Sequence, residues 1–185
     1  MTTQQKARSR TQVWILVAVF FAPLALAFLL YYGSGGWRPP GSTNRGELIS
    51  PARPLPGVEA WHGKWALVYI GDGRCDGGCR AALTLMRQTR LALNKDMTRV
   101  QRVFLVTGNC CDQAYLGAEH PGLEVVRADN DAGATLLASF PDPTGAEGSI
   151  YVVDPLGNLM MRHSTAPTKD LLEDLRKLLK LSHIG

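Results

Sequence analysis

The uncharged run at residues 13–32, VWILVAVFFAPLALAFLLYY, restricts this chain more than any other feature. A bilayer core is crossed by about 20 apolar residues, and a lone segment satisfies its backbone polar groups there only as a helix. Apolar on every face and placed at the chain's extreme end, it does not read as a core helix of a soluble fold. Pro23 is tolerable inside such a span and is compatible with a kink. Lys6, Arg8 and Arg10 precede the run with no acidic residue. That bias predicts a cytoplasmic tail at residues 1–12 and export of everything after the helix. Tyr31, Tyr32 and Trp37 suit the far interface as an aromatic belt. The rival reading is a cleaved signal peptide with Ala25-Leu26-Ala27 as its small-residue site. Apolar residues continue through Phe28, Leu29, Leu30 and both tyrosines, where a signal peptide turns polar, so a retained anchor is favoured. The short, direct tail points to a bacterial inner membrane crossed once, with the C-terminal domain on the periplasmic face.

Charge narrows the function further. The formal net charge is +4, and Lys6, Arg8 and Arg10 belong to the tail, which leaves the exported part close to neutral. No basic run with interleaved aromatics is present, which excludes a nucleic-acid partner. Residues 33–57 are rich in Gly, Pro, Ser and Arg and read as a linker, with residues 44–49 near enough to touch the folded body. Residues 58–185 form the exported domain. The apolar run 65–70 reads as a buried strand. A helix is expected over 79–94, with Ala82, Leu83, Met86, Thr89 and Leu93 on one face. Strands at 100–106 and 123–127 and a short helix at 132–139 follow. A hairpin of strands 149–153 and 158–162 turns at Asp154-Pro155-Leu156-Gly157. The last helix, about 169–181, is expected to be capped by Thr168 and to pair Glu173 with Lys177. Leu171, Leu172, Leu175, Leu178 and Leu179 make its buried stripe. This β-α-β then β-β-α order is the α/β, thioredoxin-like arrangement, a mixed sheet flanked by helices.

The four cysteines fall in two tight pairs, unlike the spread cysteines of a stapled mini-protein. Cys75 and Cys79 follow the first buried strand and precede a helix, where the helix N-terminus and the nearby Arg74 and Arg80 favour thiolate. Two adjacent thiolates exchange electrons as a disulfide or hold a soft ion such as Cu(I). A staple across so short a loop contributes little stability, so a redox or metal role is the stronger reading. Cys75, ahead of the helix, is expected to be the more exposed and the nucleophile, with Cys79 resolving. Asp72 and Asp76 oppose a strongly acidic thiol by charge repulsion. Cys110 and Cys111 follow the second strand as the first pair follows the first, so both pairs belong at the carboxyl edge of the sheet. A vicinal pair is not expected to bond to itself. The two are either buried thiols or exchange partners, or extra metal ligands, for the first pair. His163 ends a hairpin strand directed to the same edge. It reads chiefly as a surface histidine and secondarily as a metal ligand. His62, His120 and His183 stand in linker-like, turn and tail contexts.

The segments 63–70 (GKWALVYI), the C-x3-C motif, 103–106 (VFLV) and 150–157 (IYVVDPLG), behind an anchor, resemble the Sco/SenC proteins. The resemblance covers the anchor, the linker and nearly all of residues 61–182. It implies a membrane-anchored thioredoxin-like factor that helps install copper in cytochrome c oxidase. It also implies Cu(I) as cargo of Cys75 and Cys79, and as partner an oxidase subunit or another copper or thiol assembly protein. That family supplies a third copper ligand, a histidine about five residues before the tyrosine of the I-Y-V-V-D-P-like strand. Here the region reads Pro143-Thr144-Gly145-Ala146-Glu147-Gly148-Ser149, and Ala146 stands nearest that place, so the dithiol carries over and the histidine does not. Two alternatives stay open: a general thiol-disulfide oxidoreductase without copper, and a non-catalytic binding module on the same scaffold. No proline directly precedes Ser149, where typical thioredoxin relatives place a substrate-contacting cis-proline, which weighs against the first.

Overall fold

The computed structural model describes residues 3–33, 43–108, 110–145, 148–166, 169–182 and 184, with side chains in the first helix from Gln12 onward. The chain divides into two compact units, Met1–Ser42 and Thr43–Gly185. The first contains α1 (Thr3–Gly33), which continues through Pro23. Its Gln12–Gly33 portion is long and apolar enough to cross a membrane.

The second unit is a six-stranded mixed sheet with helices, in the strand order β1-β6-β5-β2-β3-β4. The strands are β1 (Glu47–Pro54), β2 (Trp65–Gly71), β3 (Val100–Val106), β4 (Leu123–Arg127), β5 (Ser149–Val153) and β6 (Asn158–Ser164). The helices are α2 (Gly77–Ala92), α3 (Gln113–Glu119), α4 (Asp131–Ala138) and α5 (Asp170–Leu181). β2, β3 and β4 run parallel, while β5 joins β2 antiparallel.

Period-two alternation explains why a continuous apolar run serves as the central strand. Trp65, Leu67 and Tyr69 of β2 pack on one face with Ala82, Leu83 and Met86 of α2 and Leu171, Leu175 and Leu179 of α5. Ala66, Val68 and Ile70 pack on the other with Leu136, Phe140 and Trp61. Both faces are covered, so every β2 residue is buried. The β5–β6 hairpin closes as expected: Gly157 takes φ +85°, a region that favours glycine. Asp154 Oδ1 accepts from the N–H groups of Leu156 (2.9 Å) and Asn158 (2.8 Å).

Three details differ from the sequence reading. First, β1 lies inside the stretch expected as linker. It adds to β6 as an edge strand whose side chains are nearly all exposed, a pattern without alternation to betray it. Pro51 and Pro54 are tolerated because an edge strand leaves one row of donors unused. Second, Glu173 pairs with Arg45 at 2.6 Å, and Lys177 donates to Thr43 Oγ1. Both α5 side chains are drawn to the segment before β1. The buried Asp174 carboxylate completes the clamp, accepting from the backbone N–H groups of Arg45 (2.9 Å) and Gly46 (2.9 Å). Third, α2 starts two residues earlier than expected because Asp76 supplies its cap. Thr168, the expected cap of α5, lies outside the described residues, as do Ala146, His183 and Trp37.

Candidate dithiol site

Cys75 and Cys79 form a disulfide at the carboxyl end of β2, with S–S 2.02 Å and Cα–Cα 4.9 Å. The local sequence dictates the bend. Asp76 is the N-cap of α2 and its Oδ1 accepts from the Cys79 N–H at 2.9 Å. Cys79 therefore stands in the first helical turn, where the helix dipole favours thiolate once the pair is reduced. Cys75 takes φ +49°, a left-handed conformation uncommon for a residue with a side chain. It is held from several sides: its N–H donates to Asp72 O at 3.1 Å, and its carbonyl accepts from Arg80 Nε at 3.2 Å.

The expectation that Cys75 is the more exposed cysteine is corrected: Cys75 is 2% and Cys79 3% exposed. The left-handed turn folds the loop back against the core, so both sulfurs belong to the cluster formed by β2, α2 and α5. Access is through a cavity of about 250 Å³ lined by Tyr69, Asp72, Arg74, Thr144 and Gly145 beside the two cysteines. Burial, and after it the Asp76 charge, push the Tyr69 phenol above its ordinary pKa, so it stands there as a neutral hydroxyl. Its ring has room only because residue 71 is glycine; a Cβ there would lie 2.9 Å from Tyr69 Cε1. Neither Tyr69 nor Gly145 was singled out from the sequence. The available signal was the period-two register that puts Tyr69 on the α2 side of β2. The two carboxylates of the motif are both engaged. Asp72 is held below the usual carboxylate range by the Arg74 backbone N–H and then by its guanidinium. Asp76 is occupied by the helix cap.

Cys110 and Cys111 do reach this edge, and they are bonded to each other across a cis peptide, contrary to the expectation for a vicinal pair. Their loop docks on the first one. Thr107 N–H donates to Gly71 O at 3.0 Å and Asp112 N–H to Gly73 O at 3.2 Å. Arg80 stands 3.8 Å from Asp112 and stacks 4.5 Å from the Tyr115 ring centroid. Both vicinal cysteines are half-buried and pack against the cluster that contains Cys75 and Cys79.

His163 is not a surface residue; it is 4% exposed. Gly46 explains this, because the absence of a side chain there lets the segment before β1 lie directly on the imidazole. The His163 Nε2 lies 3.0 Å from Met161 Sδ and 3.4 Å from Asp174 Oδ2. It lines a different cavity from the one at the dithiol. His62 is exposed, whereas His120 is buried with Nε2 3.0 Å from the Tyr115 hydroxyl. Among the described residues no group of three or more His, Cys, Asp or Glu side chains is arranged to hold a metal ion.

Burial lowers the pKa of His163 against the opposing pull of Asp174 and Asp170. Burial, then Arg102 and Arg87, lower that of His120 against Glu119. Each unfolded imidazole binds its proton near pH 6.5, each folded one at lower pH. In that interval the unfolded state holds more protons, so stability is complete above about pH 6.5 and declines as pH falls through it. Thermal midpoints measured from about pH 8 down to about pH 5 should trace this loss, and His163→Gln should make the decline shallower. An unchanged slope in that variant would remove His163 as a cause.

A family model described as transmembrane-like, thioredoxin-like, C-terminal domain matches residues 65–182. Among solved structures the chain is similar to yeast Sco1 with copper bound, at TM-score 0.57 and 15% identity, covering 77% of this chain and 96% of that one. It is similar to apo Sco1 from Thermus thermophilus at TM-score 0.56 and 18% identity, covering 75% of this chain and 99% of that one. For Bradyrhizobium japonicum ScoI with copper bound the values are 0.51 and 19%, covering 71% and 98%. At these identities the likeness is one of fold. No curated protein sequence matches the chain.

Proposed function

This chain belongs to the transmembrane-like, thioredoxin-like C-terminal domain family, and from that premise we propose that it is a membrane-anchored, Sco-like assembly factor for cytochrome c oxidase. Its domain would stand on the outer, periplasmic face of a bacterial inner membrane. Its chemistry would be thiol-disulfide exchange at Cys75 and Cys79. The observation that carries this reading is the C-x3-C pair itself, joined as a disulfide with Cys79 capped into the first turn of α2. Reduced, the pair attacks a disulfide on the partner. One thiolate forms a mixed disulfide, the other displaces the partner's sulfur, and Cys75–Cys79 reforms while the partner leaves as a dithiol. With both sulfurs buried, exposure no longer favours Cys75 as the attacker, and position favours Cys79 in that role with Cys75 resolving. Cys79 lies in the helical turn that lowers a thiol pKa, and Cys75 precedes it.

Delivery of Cu(I) is the finer form of the same proposal. Two thiolates are soft ligands suited to Cu(I), and Cys75 and Cys79 would hold it as cargo. No histidine occurs between Ala138 and Ser149, so such a site would rest on sulfur alone. That lack favours, as second reading, an oxidoreductase that serves protein cysteines without carrying metal. The deciding experiment is an anaerobic Cu(I) titration of the reduced full chain in detergent against a chromophoric chelator. One tightly held copper, lost in Cys75→Ser/Cys79→Ser, is the result for delivery. Failure to compete with the chelator removes the copper role and leaves exchange.

A further inference from the structure

We propose that the vicinal pair Cys110–Cys111 is the entry port through which a partner protein's dithiol reduces the buried Cys75–Cys79 disulfide. The inference deepens the exchange reading above and rests on it. Its basis is a difference in burial between two disulfides that share one loop cluster. Cys75 and Cys79 are 2% and 3% exposed, whereas Cys110 and Cys111 are half-buried at the rim of the same core. Attack on a disulfide needs a thiolate in line with a sulfur, and a folded partner brings one to a sulfur at the rim far more readily than to one set back in a cavity of about 250 Å³. From there the two cysteine loops are directly joined, because residues on either side of the vicinal pair are tied to the 71–75 loop. Thr107 N–H holds Gly71 O at 3.0 Å and Asp112 N–H holds Gly73 O at 3.2 Å. Arg80 bridges the two loops a second time, from the Cys75 carbonyl at 3.2 Å to Asp112 at 3.8 Å.

The electron balance closes with the partner dithiol as reductant. Its thiolate attacks Cys110–Cys111, its second thiol resolves the mixed disulfide, and it leaves oxidised, with two thiols left on this chain. One of them then attacks Cys75–Cys79, whose S–S bond breaks as an inter-loop disulfide forms. The remaining vicinal thiol resolves that bond, and Cys110–Cys111 is restored. The net transfer is two electrons and two protons from the partner to Cys75 and Cys79.

The test uses the oxidised full chain in detergent with two reductants, reduced thioredoxin as a protein dithiol and dithiothreitol as a small one. Reduction of Cys75–Cys79 is read by differential alkylation and peptide mass. In Cys110→Ser/Cys111→Ser the rate with thioredoxin should fall roughly tenfold or more, while the rate with dithiothreitol stays within about twofold. Equal thioredoxin rates in both proteins overturn the relay and leave the exchange reading standing. A Cys75–Cys79 bond that resists both reductants in the unaltered chain overturns both. As an independent measure, four variants each keep one cysteine of either pair. At least one should form an inter-loop disulfide on mild oxidation; none doing so places the sulfurs out of reach and ends the proposal.

Discussion

Cys75→Ser is expected to abolish exchange with protein disulfides, a loss of roughly a hundredfold or more, while the domain stays folded. The two effects separate because the disulfide closes only a short loop. The chain-entropy estimate for such a loop is about 2 kcal/mol, a fall in Tm of only about 5 °C for a domain of this size. The two sulfurs are a small part of a cluster otherwise built from large apolar side chains of β2, α2 and α5, so most of that packing survives loss of the bond. Cys79→Ser should be equally inactive, and the two variants distinguish the roles. The one that keeps the attacking thiol accumulates a mixed disulfide with the partner, since its resolver is gone; by position in the helix this should be Cys75→Ser. In cells, either variant should fail to support oxidase maturation. Normal maturation with Cys75→Ser, in a protein present at ordinary abundance, would reduce the fold to a binding scaffold.

Gly145→Ala is expected to destabilise the domain by about 3 kcal/mol, made up of a left-handed backbone cost and a steric one. Gly145 takes φ +70°, and a Cβ there would meet the Ile70 carbonyl oxygen at 2.4 Å, a backbone atom at the end of β2 that cannot rotate away. Gly57 supplies the control. It has the same φ of +70° with nothing within 4 Å of the added carbon, so Gly57→Ala should cost only about 1 kcal/mol. The difference between the two, measured by chemical denaturation, isolates the contact. Because Gly145 lines the dithiol cavity, its variant should also admit dithiothreitol to Cys75–Cys79 several times faster, which Gly57→Ala should not do. Equal costs at the two sites would mean that the 145 loop does not press on β2.

Elements with dense local information were legible in the sequence. The apolar run became β2, the Asp-Pro-Leu-Gly turn closed the hairpin, and the stripe of α2 is buried as its spacing implies. What escaped depends on partners far along the chain. β1 looks like linker because its own side chains stay in solvent; its order comes from β6. His163 looks like a surface residue because its burial is supplied by Gly46 and Asp174, one before β1 and one on α5. At the site, the pattern gave the dithiol and the common edge of the two cysteine pairs. It gave neither the burial of Cys75, which a single left-handed residue decides, nor the pairing of Cys110 with Cys111.

The placement of β1 also sets an order of events during synthesis. Arg162 on β6 grips Glu47 on β1 from 115 residues away, and contacts at such separation form slowly because the intervening loop must close first. The strand made first therefore waits, unpaired, until the hairpin made near the end appears. Both cysteine pairs, by contrast, are complete within a handful of residues each, and neither needs the finished sheet to find its partner. An oxidant that meets the growing chain would meet sulfurs whose correct neighbours are already the nearest ones, so errors of pairing should be rare even while the domain remains open.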